Sequence, residues 1–220
     1  MAEHSKAFFE KTDEGEVKKR QEAFTQFLVD APTTAKLAEA RKLLEVYSRV
    51  KSEEVLPHVI AIRNKAWKID PFPCIGQFNF LDLSVSRSPF YPEVLERVKH
   101  GHKLLDLGCC LGCEIRAFVA DGAPSENLYG SDINSHFLAL GYDLFLDKST
   151  LKSTFIAADL FASPSPLDSL NGQMNIVYAA SVIHLFDRPG QKKVVQRITQ
   201  LLVTEPDSIC LGRQVGDNGT

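Results

Sequence analysis

Residues 104–112, LLDLGCCLG, constrain this chain more than any other stretch. Leu104, Leu105 and Leu107, interrupted only by Asp106, suit a strand buried on both faces of a parallel sheet. Gly108 and Gly112 then permit a tight turn that holds backbone close to a ligand. The residues after the turn read as a helix, so the stretch predicts a strand, a glycine turn and a helix in succession. A second strand-like piece, Leu128 to Asp132, ends in an acid, and the interval from Gly108 to Asp132 holds one turn, one crossover helix and one strand.

That spacing is βαβ, and an acid at the place of Asp132 in a Rossmann-like unit meets ribose hydroxyls. The glycine pattern is G-x-x-x-G and lacks the middle glycine that lets backbone crowd a pyrophosphate, so a dinucleotide fits poorly. A nucleoside without phosphates, such as S-adenosylmethionine, needs backbone beside its ribose and methionine parts but no phosphate cradle. The alternative is a glycine-bearing turn that binds nothing, with Asp132 and Asp159 acting as helix caps or turn aspartates.

With 220 residues the chain suits one α/β domain with an appendage and is long enough to bury a sizeable core. A formal net charge of −3 offers no basic footprint for nucleic acid, and no apolar run approaches the ~20 residues of a membrane span. The first residues, MAEHSKAFFEKTDEG, lack the apolar stretch of a secretory signal. The expectation is a cytoplasmic protein with a small-molecule substrate, no nucleic acid and no membrane. Cys74, Cys109, Cys110, Cys113 and Cys210 are an odd set, three of them crowded into one turn, which argues against disulfides. Cys110 to Cys113 reads C-x-x-C, but no second such pair exists to complete four zinc ligands, so no metal is expected.

Along the chain, residues 1–70 read as a helical cap and 71–220 as the α/β domain. The charge-rich section EKTDEGEVKKRQE is expected as a solvated helix face or frayed segment, with a localisation signal in KKR a remote alternative. Thr33 or Thr34 caps a helix running through to Val50, and a second helix spans about Val55 to Lys68. PFPCIGQ breaks the pattern at residues 71–77. A helix from Tyr91 to Lys99, with Pro92 in its first turn, leads into a strand at Lys103 to Leu107. A helix over about Leu111 to Ala120 comes next, stopping near Gly122. The stripe Phe137, Leu140, Leu144 and Phe145 marks the next helix. Further strands are predicted at Thr154 to Ala158, Met174 to Ala180 and Ser208 to Leu211, with a helix from Pro189 to Leu202. This alternation predicts a mostly parallel, doubly wound sheet.

On FLDLSVSRSPFYPEVLERV, KLLDLGCCLGCEIRAFVADGAPSENLYGSDI, GYDLFLDKSTLKSTFIAADLF, SVIHLFD and ICLGRQVG, which cover most of residues 80–216, the chain resembles class I S-adenosylmethionine-dependent methyltransferases. More narrowly it resembles a fungal group that methylates secondary-metabolite acids such as meroterpenoid intermediates. The resemblance implies that the loop Gly108 to Gly112 lies against methionine and ribose, that Asp132 binds ribose hydroxyls and that Asp159 accepts from the adenine amino group. Ile133 and Leu160 would be apolar walls around adenine, or core. The cofactor set expected on this basis is Asp106, Gly108, Cys109, Gly112, Asp132, Ile133, Asp159, Leu160 and Ala180. A class I methyltransferase continues past its fifth strand with a helix and an antiparallel strand pair, whereas here LGRQVG runs into Asp217 to Thr220. The expectation is an absent final pair and an exposed fifth-strand edge, where a homodimer would pair.

Methyl transfer from a sulfonium is an in-line displacement, so the protein's main task is alignment. A carboxylate acceptor needs no base, whereas a phenol or alcohol gains from one. His184, in SVIHLFD, is the candidate to orient or deprotonate the acceptor; otherwise it is a turn histidine bonded to backbone. Gln77, Phe78 and Tyr91 are candidates to line the acceptor pocket from the cap side. Alternatives to an O-methyltransferase are a non-catalytic cofactor-binding or partner-binding module, and a nucleotide-dependent oxidoreductase, which the missing glycine disfavours.

Overall fold

The computed structural model describes residues 14–204 and 206–216. Residues 10–13 of the charge-rich section and the last residues, 217–220, lie outside that range. The section's remainder forms α1, Glu14–Phe24, mostly exposed but with Arg20 buried. Helix α2, Thr34–Lys42, is capped as expected: the Thr33 hydroxyl accepts from the Lys36 N–H at 3.4 Å. It does not run on to Val50. At Leu43–Tyr47 the chain widens into a π-helical turn, which buries Leu43 and Leu44 and carries the Tyr47 hydroxyl to Asp147 at 2.9 Å.

Helix α3, Ser52–Ile69, buries Val55, Val59, Ile62 and Ala66, a four-three-four spacing that makes one apolar stripe. A four-residue helix α4, Pro73–Gly76, comes after the proline break. Tyr91–Lys99 is α5, with Pro92 in its first turn where a missing N–H costs nothing.

The α/β part is built from β1 (Leu104–Leu107), α6 (Cys113–Ala120), β2 (Leu128–Asp132), α7 (Ser135–Phe145), β3 (Thr154–Ala157), β4 (Ile176–Tyr178), α8 (Arg188–Leu201) and β5 (Ile209–Leu211). The strands pair in the order β3-β2-β1-β4-β5, all parallel, with Asp106 opposite Gly130 on one side and Tyr178 on the other. Strand β4 is shorter than the periodicity predicts. Met174 makes only an isolated bridge to Leu202, and beyond Ala179 the chain turns through Ser181 at φ 55°.

Because side chains alternate along a strand, Leu105, Leu107 and Val177 meet Val194, Ile198 and Leu201 of α8 on one face of the sheet. Leu104, Ile176 and Tyr178 meet Val94 and Val98 of α5 and Ile115 and Phe118 of α6 on the other. Burying a side chain of this size is worth roughly 1.5–3 kcal/mol before chain entropy is counted. A third cluster joins the cap to the sheet: Val59, Ile62 and Ala66 of α3 pack with Phe137, Leu140 and Leu144 of α7 and with Leu111. Strand β5 forms one edge, with Cys210 exposed and Ile209 and Leu211 half-buried. Among the described residues no helix is long and apolar enough to cross a membrane.

Candidate functional site

The sheet order reverses direction between β1 and β4, and in open parallel sheets the crevice beyond the carboxyl ends of strands flanking such a switch is where ligands sit. A cleft of about 150 Å³ lies there, lined by Gly108 and Cys110 after β1, Ser131 to Asn134 at the end of β2, Phe137 of α7, Ala158 to Leu160 after β3, and Ser181, Val182, Leu185 and Phe186 after β4. Asp70, Phe72 and Cys74 from the cap complete its wall. Ile133 and Leu185 are unusually exposed for their size, so the mouth is apolar.

The turn after β1 is held by its own backbone and by Asp132. The N–H groups of Gly108 and Cys109 both donate to the Ser131 carbonyl, at 2.7 and 2.9 Å. Cys110, at φ 53°, donates its N–H to Asp132 Oδ2 at 2.9 Å, while Asp132 Oδ1 accepts from the Asn134 N–H at 2.9 Å. Asp132 is therefore not the cap of α7; Asn134 is, accepting from the His136 N–H at 3.0 Å. Burial pushes the Asp132 carboxyl upward against those backbone hydrogen bonds. Asp159 is exposed, and its Oδ1 accepts from the Phe161 N–H at 2.8 Å.

Gly108 sits at φ 79°, and a Cβ there would stand 2.1 Å from Val182 Cγ2, so only glycine lets the two loops close on each other. Gly112, at φ 69°, has a different role: a Cβ would strike Arg116 Nη1 at 2.5 Å and Phe155 at 2.8 Å, so it accommodates core packing behind the turn.

Of the expected cofactor residues, the cleft brings together Gly108, Asp132, Ile133, Asp159 and Leu160. Asp106, Cys109, Gly112 and Ala180 are not on its wall. Asp106 lies beneath, 4% exposed and opposite Tyr178 across the sheet, with its carboxyl driven well up by burial and then by Glu114 and Asp132. Burial likewise lifts Glu114 to about 7, although Val85, Ser84 and Tyr178 hydrogen-bond to it. Cys109 is buried, and Ala180 packs against the cluster of α5 and α6.

The cap-side candidates are corrected. Phe78 is 0% exposed in the cap core with the Arg63 guanidinium 4.4 Å from its ring. The Gln77 carbonyl accepts from Lys36 at 2.9 Å and its side chain from Asn79 at 3.3 Å. Tyr91 packs on Phe118 at 5.0 Å and donates to Asp121 at 2.7 Å. Each is consumed by packing away from the cleft, and the cap reaches the cleft through Asp70, Phe72 and Cys74 instead. The signal for these was the abrupt end of an apolar helix at Asp70 followed by Phe-Pro-Cys. His184 is half-buried beside the cleft's β4 wall. Its backbone N–H donates to Gln214 Oε1 at 3.3 Å and its Nδ1 lies 3.2 Å from the same oxygen, while Gln214 Nε2 donates to the Ala179 carbonyl at 2.6 Å.

The residues present fit S-adenosylmethionine. Ser131 Oγ is buried on the cleft wall with no hydrogen-bond partner among the described residues. Asp132 keeps unused lone pairs for hydroxyl donors, and the apolar mouth suits a base.

A family description, the meroterpenoid methyltransferase N-terminal domain, matches residues 30–81. The asnovolin E/chermesin D methyltransferase nvfJ of Aspergillus novofumigatus is 52% identical over 177 residues, covering 80% of this chain and 64% of that protein. Methyltransferase adrK of Penicillium roqueforti is 49% identical over 177 residues, with the same coverage of 80% and 64%. Methyltransferase ausD of Penicillium brasilianum is 45% identical over 190 residues, covering 86% of this chain and 68% of that protein. The chain thus spans about 64% of the length of nvfJ and adrK. It belongs to the S-adenosylmethionine-dependent methyltransferases, in the fungal meroterpenoid methyltransferase family.

Proposed function

We propose that the cleft holds S-adenosylmethionine and that the protein directs methyl transfer to a carboxylate oxygen of a small meroterpenoid acid, giving a methyl ester. The carrying observation is the cleft at the β1/β4 switch, with Asp132 fixed by two backbone N–H groups at the end of β2. The cofactor supplies an electrophilic methyl group on sulfur; the chain's residues supply position. Asp132 accepts from ribose hydroxyls without moving, since the turn already orients it. Asp159 has one oxygen on Phe161 N–H and offers the other to the adenine amino group. Ile133, Leu160 and Phe186 sandwich the base.

A carboxylate acceptor is ionised at neutral pH, so no general base is required. His184, held through Gln214 beside the β4 wall, is the residue that positions the acceptor in this reading. A second copy of the chain pairs along the exposed edge of β5 in this reading.

The experiment is calorimetric titration of S-adenosylmethionine into this chain and into one carrying the additional length of relatives such as nvfJ. Methyl-ester formation from a meroterpenoid acid is followed in both. Binding with ester formation supports the reading. Binding without turnover by either chain favours a cofactor-binding module, and binding of NAD but not of S-adenosylhomocysteine overturns the methyltransferase reading.

A further inference from the structure

Asp70, the first residue beyond α3, is 7% exposed and lines the same cleft as Asp132 and Asn134. Its Oδ1 is 2.9 Å from Arg20 Nη1 of α1, an ion pair with both side chains about nine-tenths buried. The same guanidinium lies 5.8 Å from the ring of Phe72, which also lines the cleft. Helix α1 is thereby anchored on two cleft residues at once. Burial lifts the Asp70 carboxyl to about 6; Arg20 works against that, and Asp132 adds to it.

Two carboxylates in one buried cleft repel each other, and Arg20 neutralises only one of them. A ligand that offers two adjacent donors relieves both. Asp132 spends a lone pair of each oxygen on a backbone N–H and keeps one acceptor position free on each, and Asp70 adds further acceptor positions on the wall of the same cleft. We infer that Asp70 is a ribose-binding residue contributed by the cap, accepting from one of the two ribose hydroxyls while Asp132 accepts from the other. The cap then carries part of the cofactor site, and α1 holds that part in place through Arg20. This inference rests on the cleft being the S-adenosylmethionine site.

The test is titration of S-adenosylhomocysteine, its 2′-deoxy analogue and its 3′-deoxy analogue into the native chain and into Asp70→Asn. The variant keeps the shape of the side chain and removes its charge. The expected result is about tenfold weaker binding of S-adenosylhomocysteine by the variant, with one of the two deoxy analogues binding it as well as the parent does. Equal affinities of native and variant overturn the inference. So does a loss after which both deoxy analogues remain penalised as in the native chain, because the effect is then one of packing. Should Asp70→Asn not fold, Asp70→Glu is read by the same three titrations, with the same two outcomes deciding. Failure of the native chain to bind S-adenosylhomocysteine overturns the cofactor reading itself. Binding by the native chain with no change in the variant overturns only the role of Asp70.

Discussion

Arg116 carries its charge inside the core: its side chain is fully buried. Its guanidinium meets Asp147 in two hydrogen bonds of 2.9 and 3.1 Å, reaches the carbonyls of Leu111 and Gly112 at 3.2 and 3.3 Å, and lies 4.9–5.2 Å from the rings of Phe155, Phe145 and Tyr142. One side chain thus ties the turn after β1 to the end of α7. Arg116→Met strands Asp147 in the core and is expected to cost about 3–5 kcal/mol, read as a shift in the urea midpoint. Asp132→Ala is expected to weaken S-adenosylhomocysteine by about 1–3 kcal/mol in a titration, through lost charge-assisted hydrogen bonds and a loosened Cys110 turn. An unchanged affinity returns Asp132 to a turn role alone. Glu114 sets a pH dependence. Its folded pKa of about 7 lies above its ordinary 4.5, so the folded state holds the proton more tightly. The resulting stability is full below the unfolded value and is lost as pH rises through the folded one, on the order of 3 kcal/mol. Asp70, raised from 3.8 to about 6, acts in the same direction. Denaturation midpoints are therefore expected to fall from about pH 5 to about pH 8, and Glu114→Gln to flatten the profile, since Oε2 has no partner to lose among the described residues.

At the scale of elements, the strands and helices of the α/β part were legible because each buries one stripe or one face. Leu128–Asp132 and Tyr91–Lys99 end where the residues predict. The exceptions lie at specific contacts and turns: α2 gives way to a π-helical turn where Tyr47 reaches Asp147, a hundred residues away, and β4 shortens where Ser181 turns the chain. The loops after β1 and β4 behave as one unit because Gly108 lets Val182 approach. Gly108→Ala combines a strained φ with a contact that must give way, and is expected to reduce S-adenosylhomocysteine affinity by about tenfold or more while circular dichroism still reports a folded chain. Retained affinity means that the loop after β4 yields freely.

For the whole molecule, the proposed pairing along β5 is tested by self-association. Light scattering behind gel filtration is expected to show a dimer at high protein concentration, with Cys210 protected from alkylation in it; a monomer throughout refutes edge pairing. The sequence alone determined the succession of elements, the parallel sheet, the glycine turn and the acids Asp132 and Asp159, because these are matters of spacing between near neighbours and of the side chains a strand end must carry. It also carried the family, through the resemblance that covers most of residues 80–216. Only the tertiary structure decided which cap residues face the cleft, and it replaced Gln77, Phe78 and Tyr91 with Asp70, Phe72 and Cys74. The same holds for Arg20 on Asp70 and Arg116 on Asp147. Periodicity records which face of an element is apolar, but a buried charge is tolerated only beside its counter-charge, and that partner is chosen by how distant segments pack.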